Sequence, residues 1–271
     1  MKNYPQIAQK LYNEPWLITK EKHDSLTALF EAHISGANIG IFDQQKDDSD
    51  EDDSSPRIDG QTLILPVHGV LGKHLSSLEM MCGGCSVDAI GKELDKAEAS
   101  YQIRNILLDF RSPGGVVTGI PELGKKIASI SKDVIAFTDS DCCSGALWLA
   151  SQADKFYCTE SASVGSCGVY SIYLDRSKQF EEMGMKVNAI SAGEFKLAGA
   201  SFKAMTERER AMLQDQVDDI HSKFKSAITS RRLVDAEYLE GQVFFGDAAA
   251  EIGMVDGLVD DMSEVIESFM R

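Results

Sequence analysis

At 271 residues, with 43% hydrophobic and 26% charged side chains, the chain has a globular balance and the length for one large domain or two small ones. A formal net charge of −16 repels phosphate backbones and leaves no basic stretch for an anionic bilayer, so no nucleic-acid partner is expected. The opening MKNYPQIAQKLYNEPWLITKEKHD lacks the apolar centre of a secretory signal, and no window approaches the ~18 apolar residues of a membrane anchor, which predicts a soluble, cytoplasmic protein.

In chain order, residues 14–34 place Leu26, Leu29, Phe30 and Ile34 at helical spacing, which predicts an amphipathic helix docked on something larger. DQQKDDSDEDDSSP (43–56) follows, with seven acidic residues and almost no apolar ones. It cannot bury enough surface to offset its chain entropy and reads as a disordered linker. The chain is thereby divided into a helical arm (1–42), an acidic linker (43–57) and a main domain (58–271).

The main domain alternates. TLILPVHGVL (62–71), IRNILLDF (103–110), DVIAFTDS (133–140), KFYCTE (155–160) and KVNAIS (186–191) read as strands. Between them, 87–100 (with Ile90, Leu94 and Ala97 on one side), 119–130 and 145–153 read as helices, and 206–232 as a long amphipathic one. Alternation of this kind predicts an α/β domain with a largely parallel sheet. Six cysteines form no disulfide framework; CGGC (82–85) has no second ligand-spaced pair, so structural thiols are expected and neither metal nor cofactor.

Three loops follow predicted strands, where open α/β sheets carry their chemistry. RSPGG (111–115) makes a tight turn in which Gly114 and Gly115 let the backbone approach a ligand; its amides can serve an oxyanion or simply end a strand. In DCCSGALWLAS (141–151), Ser144 fits a nucleophile and an N-cap equally, and the thiols of Cys142 and Cys143 are a third choice. A thiolate or a serine of the usual kind needs a histidine, and none of the five lies on these loops. In SAGEFKLAGASF (191–202), Lys196 sits among small and apolar residues, as either a desolvated base or a surface lysine.

Taken together, SPGG, SGALWLASQADKFYC, SVGSCGVY, GEFKLAG and the tail EGQVFFGDAAAEIGMVDGLVD resemble the signal peptide peptidase A (protease IV) family of serine proteases, over roughly residues 60–262. The resemblance implies a ClpP/crotonase-like fold of stacked ββα units and a homo-oligomeric ring. It implies Ser144 as nucleophile, Lys196 as the base of a Ser-Lys dyad, and Ser166 as the hydroxyl that positions the lysine. Gly114 or Gly115, with Gly145, is implied as the oxyanion hole. Cys142-Cys143, Val164, Cys167 and Ala146-Leu147-Trp148 depart from the family's pattern without removing a catalytic atom.

A chain with a helical arm and no anchor resembles the phage and prophage branch, whose substrates are scaffold, capsid or portal proteins. That places it in host cytoplasm or an assembling prohead, with a protein or peptide as partner. The alternatives are a cytoplasmic signal-peptide-peptidase-like enzyme, a crotonase-type acyl-CoA enzyme and a non-catalytic oligomeric scaffold. Small residues around Lys196 suggest a pocket for small apolar side chains.

Overall fold

The long apolar runs become the central sheet. The computed structural model describes residues 15–34, 55–81 and 83–269. Cys82, the acidic residues 43–54 and the remainder of the arm, 1–14 and 35–42, lie outside the described residues. The first elements are β1 (Trp16–Ile18), α1 (Lys20–Ile34), β2 (Arg57–Asp59), β3 (Thr62–His68), β4 (Val70–Gly72), α2 (Ser77–Met81), β5 (Gly84–Ser86) and α3 (Val87–Ala99). Then come β6 (Asn105–Arg111), β7 (Gly114–Val116), α4 (Ile120–Ala128), β8 (Asp133–Thr138), β9 (Asp141–Cys143), α5 (Gly145–Ala150), β10 (Lys155–Cys158) and β11 (Ser163–Gly165). The rest is α6 (Ser177–Glu182), α7 (Glu207–Thr229), β12 (Val243–Phe245), α8 (Gly246–Glu251), β13 (Gly257–Leu258) and α9 (Met262–Ser268).

The recurrence β6–β7–α4, then β8–β9–α5, is a stack of ββα units, the architecture that the resemblance implies. The first strand of each unit joins a six-stranded sheet of order β13-β10-β8-β6-β3-β2, parallel except for β2. The short second strands pair among themselves: β7 with β4, and β9 with β11. Parallel strands covered on both faces read as continuous apolar runs, which is why β3, β6 and β8 were visible in the sequence. Leu63, Leu65, Ile106, Leu108, Phe110, Val134 and Ala136 face the main core with α3, α4 and α5, while Ile64, Leu107, Ile135 and Phe137 face α9.

α3 buries Val87, Ile90, Leu94 and Ala97 at helical spacing, and the Ser86 hydroxyl caps it by accepting from the Ala89 amide. α7 starts on a reciprocal cap between Thr206 and Glu209, then docks through Phe224, stacked on Trp148 with ring centroids 4.9 Å apart. Among the described residues no helix is long and apolar enough to cross a membrane.

Two local expectations change. The predicted strand 186–191 does not form: residues 181–196 are all exposed, and among the described residues no strand pairs with them. Unpaired strands are not stable alone, so the β-branched Val187 and Ile190 stay in solvent. In the arm the helix begins only at Lys20, and Trp16–Ile18 is instead a buried strand paired with β7.

Candidate active site

Ser144 joins β9 to α5 with φ 54 and ψ −117, a conformation rare for a residue with a side chain. Strain of this kind costs about 1–3 kcal/mol and persists only where the surroundings fix it. They do so here: the Ser144 amide donates to Gly165 O at 2.8 Å, and its carbonyl accepts from the Trp148 amide at 3.0 Å. Ser144 is 1% exposed, and its buried hydroxyl makes no capping bond to α5 and has no hydrogen-bond partner among the described residues. The N-cap alternative therefore fails on geometry. So does the thiolate: burial pushes the Cys143 thiol up to about 12 and raises Cys142 well above its usual range, so both stay protonated at neutral pH.

The glycine turn lies against this serine. A Cβ on Gly114 (φ +101) would stand 2.0 Å from the Leu17 carbonyl oxygen, 2.9 Å from the Gly145 amide nitrogen and 3.0 Å from Cys143 O. One on Gly115 would stand 1.9 Å from Leu71 O, so neither position tolerates a side chain. Gly145 completes the cluster, with its Cβ position 3.5 Å from the Gly115 nitrogen.

Ser112, which the sequence did not single out, fastens the turn. Its fully buried hydroxyl donates to Gly69 O at 2.6 Å and accepts from the Gly114 amide at 3.2 Å. Its backbone bonds Asp141 O and the Cys143 amide, at 2.6 and 3.0 Å, and so ties the turn to the serine strand. Of the two turn glycines, Gly114 thus has its amide turned to Ser112.

Ser166 follows β11 as Ser144 follows β9, and the Cys143–Gly165 register sets the two serines at the same end of paired strands. It too has positive φ (58), with its amide held by Gln242 O at 2.5 Å. Lys196 is not brought to this cluster. It is exposed, in a stretch of turns, with its amide donating to Gly193 O at 3.2 Å.

A second polar group went unread in the sequence. His68 Nε2 lies 2.8 Å from Oδ2 of fully buried Asp109, with Arg111 Nη2 3.7 Å from the same oxygen, at the ends of β3 and β6. The available signal was an aspartate inside the apolar run of β6. His68 makes no hydrogen bond to Ser144, whose hydroxyl has no partner among the described residues.

The sequence pattern of the Peptidase family S49 matches residues 126–270, more than half of the chain and a range that includes Ser144, Ser166 and Lys196. The chain belongs to peptidase family S49. It is 30% identical over 209 residues to the head-tail preconnector protein GP5 of Enterobacteria phage P21, covering 75% of this chain and 42% of that protein. To capsid assembly protease C of Escherichia phage lambda it is 25% identical, over 98% of this chain and 65% of that protein. It therefore spans only part of the length of either relative. Among solved structures, an enoyl-CoA hydratase from Shewanella pealeana superposes with a TM-score of 0.49 at 14% identity, over 85% of this chain and 75% of that one.

Proposed function

We propose that this S49 member is a serine endopeptidase with Ser144 as nucleophile and Lys196 as general base. The observation that carries the reading is the buried, unpartnered Ser144 hydroxyl, held on strained backbone beside the Gly115 and Gly145 amides. A neutral lysine amine takes the Ser144 proton as Oγ attacks the peptide carbonyl, and the two amides bind the oxyanion. The resulting ammonium protonates the leaving amine, and water activated by the same lysine releases the acyl group. Ser166, at the end of the neighbouring strand, orients the lysine amine.

For Lys196 to act, its stretch must be carried to Ser144. That stretch exposes Met183, Met185, Val187, Ile190 and Phe195. So much apolar side chain in solvent supports a surface covered by another copy, in keeping with a homo-oligomer. Similarity to a capsid assembly protease and a head-tail preconnector supports scaffold, capsid or portal proteins as substrates, cleaved during head maturation. The test is to incubate the protein with phage scaffold, capsid and portal proteins. Cleavage by the native chain and none by Ser144→Ala is expected; equal cleavage by both sinks the reading.

A further inference from the structure

β7 carries β4 on one edge and β1 on the other. β1 runs antiparallel to it, with Trp16 opposite Val116, Leu17 opposite Gly115 and Ile18 opposite Gly114. The Val117 amide donates to Pro15 O at 3.4 Å and the Thr19 amide to Pro113 O at 3.2 Å. Hydrogen-bonded pairs alternate along an antiparallel ladder, so Leu17 and Gly115 form the bonded pair between these two. The Gly115 amide thus faces the Leu17 carbonyl. The same oxygen lies 3.3 Å from the Cβ position of Gly145 and 2.0 Å from that of Gly114. It stands among the amides assigned above to the oxyanion.

The other edge of β1 is held as firmly. Trp16 and Tyr170 exchange backbone bonds of 2.9 and 3.3 Å, so the strand is clamped between β7 and the segment that follows Ser166. His23 of α1 packs edge-on against both rings, at 5.3 and 5.6 Å. Trp16, Leu17 and Ile18 are buried, Leu17 lies against Gly145, and the neighbouring Ser144 hydroxyl is buried with no hydrogen-bond partner among the described residues.

We infer that residues 15–19 occupy, from within the same chain, the groove that accepts an extended peptide substrate, with Leu17 in the place of the residue whose carbonyl is attacked. The inference rests on Ser144 being the nucleophile. A substrate then binds by strand addition to β7, running from Val116 toward Gly114, and the arm strand must leave first. The fully buried Leu17 side chain marks a pocket for a branched aliphatic group, larger than the alanine-sized one expected from the residues around Lys196.

The test separates binding from chemistry by using the full chain with Ser144→Ala. A fluorescein-labelled Pro-Trp-Leu-Ile-Thr peptide is titrated by anisotropy against that chain and against the same chain carrying Leu17→Asp. A carboxylate in this dry position expels the strand, and removal of the internal competitor should tighten peptide binding roughly tenfold or more. A second readout needs no arm variant: in the Ser144→Ala chain, saturating unlabelled peptide should speed hydrogen exchange at the Leu17 and Thr19 amides. Either result supports the inference. Equal peptide affinity for both chains, or none for either, with the Leu17 and Thr19 amides unmoved, overturns it. Neither readout involves catalysis, so failure of the peptidase reading would show separately, as peptide bound but not cut by the native serine.

Discussion

Ser144 sits on backbone held at both ends by hydrogen bonds and walled by fully buried Cys142, Ala146 and Leu147, whereas Lys196 ends a run, 181–196, in which every residue is exposed. The first region is built from short strands that pair within the chain, and its geometry is complete in one copy. The second has apolar side chains but no sheet edge to join, and one six-residue helix, α6, as its regular structure between β11 and α7. Under the proposed roles, the nucleophile is pre-organised, the base has to be delivered, and the arm strand adds a second restraint.

The contrast predicts that substitutions in the two regions separate activity from stability. Lys196→Ala should lower peptide cleavage on the order of 10³-fold or more, while its stability changes by no more than about 0.5 kcal/mol because the side chain is in solvent. Mixing Lys196→Ala with Ser144→Ala protein then sharpens the comparison. Activity recovered in the mixture means that the lysine reaches the serine of another copy; none recovered means that it folds back within its own chain.

In the rigid region the two effects should travel together. Ser112→Ala strands the Gly69 carbonyl and the Gly114 amide, which should cost about 1–3 kcal/mol of unfolding free energy in a denaturant titration. The glycine turn then loosens, and kcat should fall more than KM rises. A Ser112→Ala protein with native stability and kcat would break the claim that this hydroxyl fastens the turn.

The smallest effect is expected at the cysteines. With the Cys143 thiol pushed up to about 12, almost no thiolate is present at pH 7 to 9, and burial blocks access as well. Iodoacetamide should leave Cys142 and Cys143 of the folded protein unmodified, and Cys143→Ala should keep its cleavage rate. Rapid alkylation with loss of activity would return the nucleophile's role to a thiol.

The sheet was legible because β3, β6 and β8 are covered on both faces, and their runs of Leu, Ile, Val and Phe have no other explanation at that length. α3 and α4 were legible from period and flanking residues. The three-residue strands β1, β4, β7, β9 and β11 were not: such segments carry no measurable alternation, and their pairing is set by partners far along the chain. These are the strands that build the site. Ser144, Gly114 and Gly115 were visible as loop candidates and only the resemblance chose among their readings or added Ser166 and Gly145, while Ser112 and Leu17 left no mark in the pattern. Residues 186–191 misled for the converse reason, since Val187 and Ile190 look like strand residues but have no strand beside them.

Whether Ser144 is the attacking group is read most directly by mass spectrometry of the full chain after exposure to a fluorophosphonate, at the peptide spanning 141–151. A single covalent adduct on Ser144 is expected, formed faster when Leu17→Asp frees the groove and slowed by Lys196→Ala. An adduct on any other residue, with Ser144 unmodified in the Leu17→Asp chain, would contradict that role.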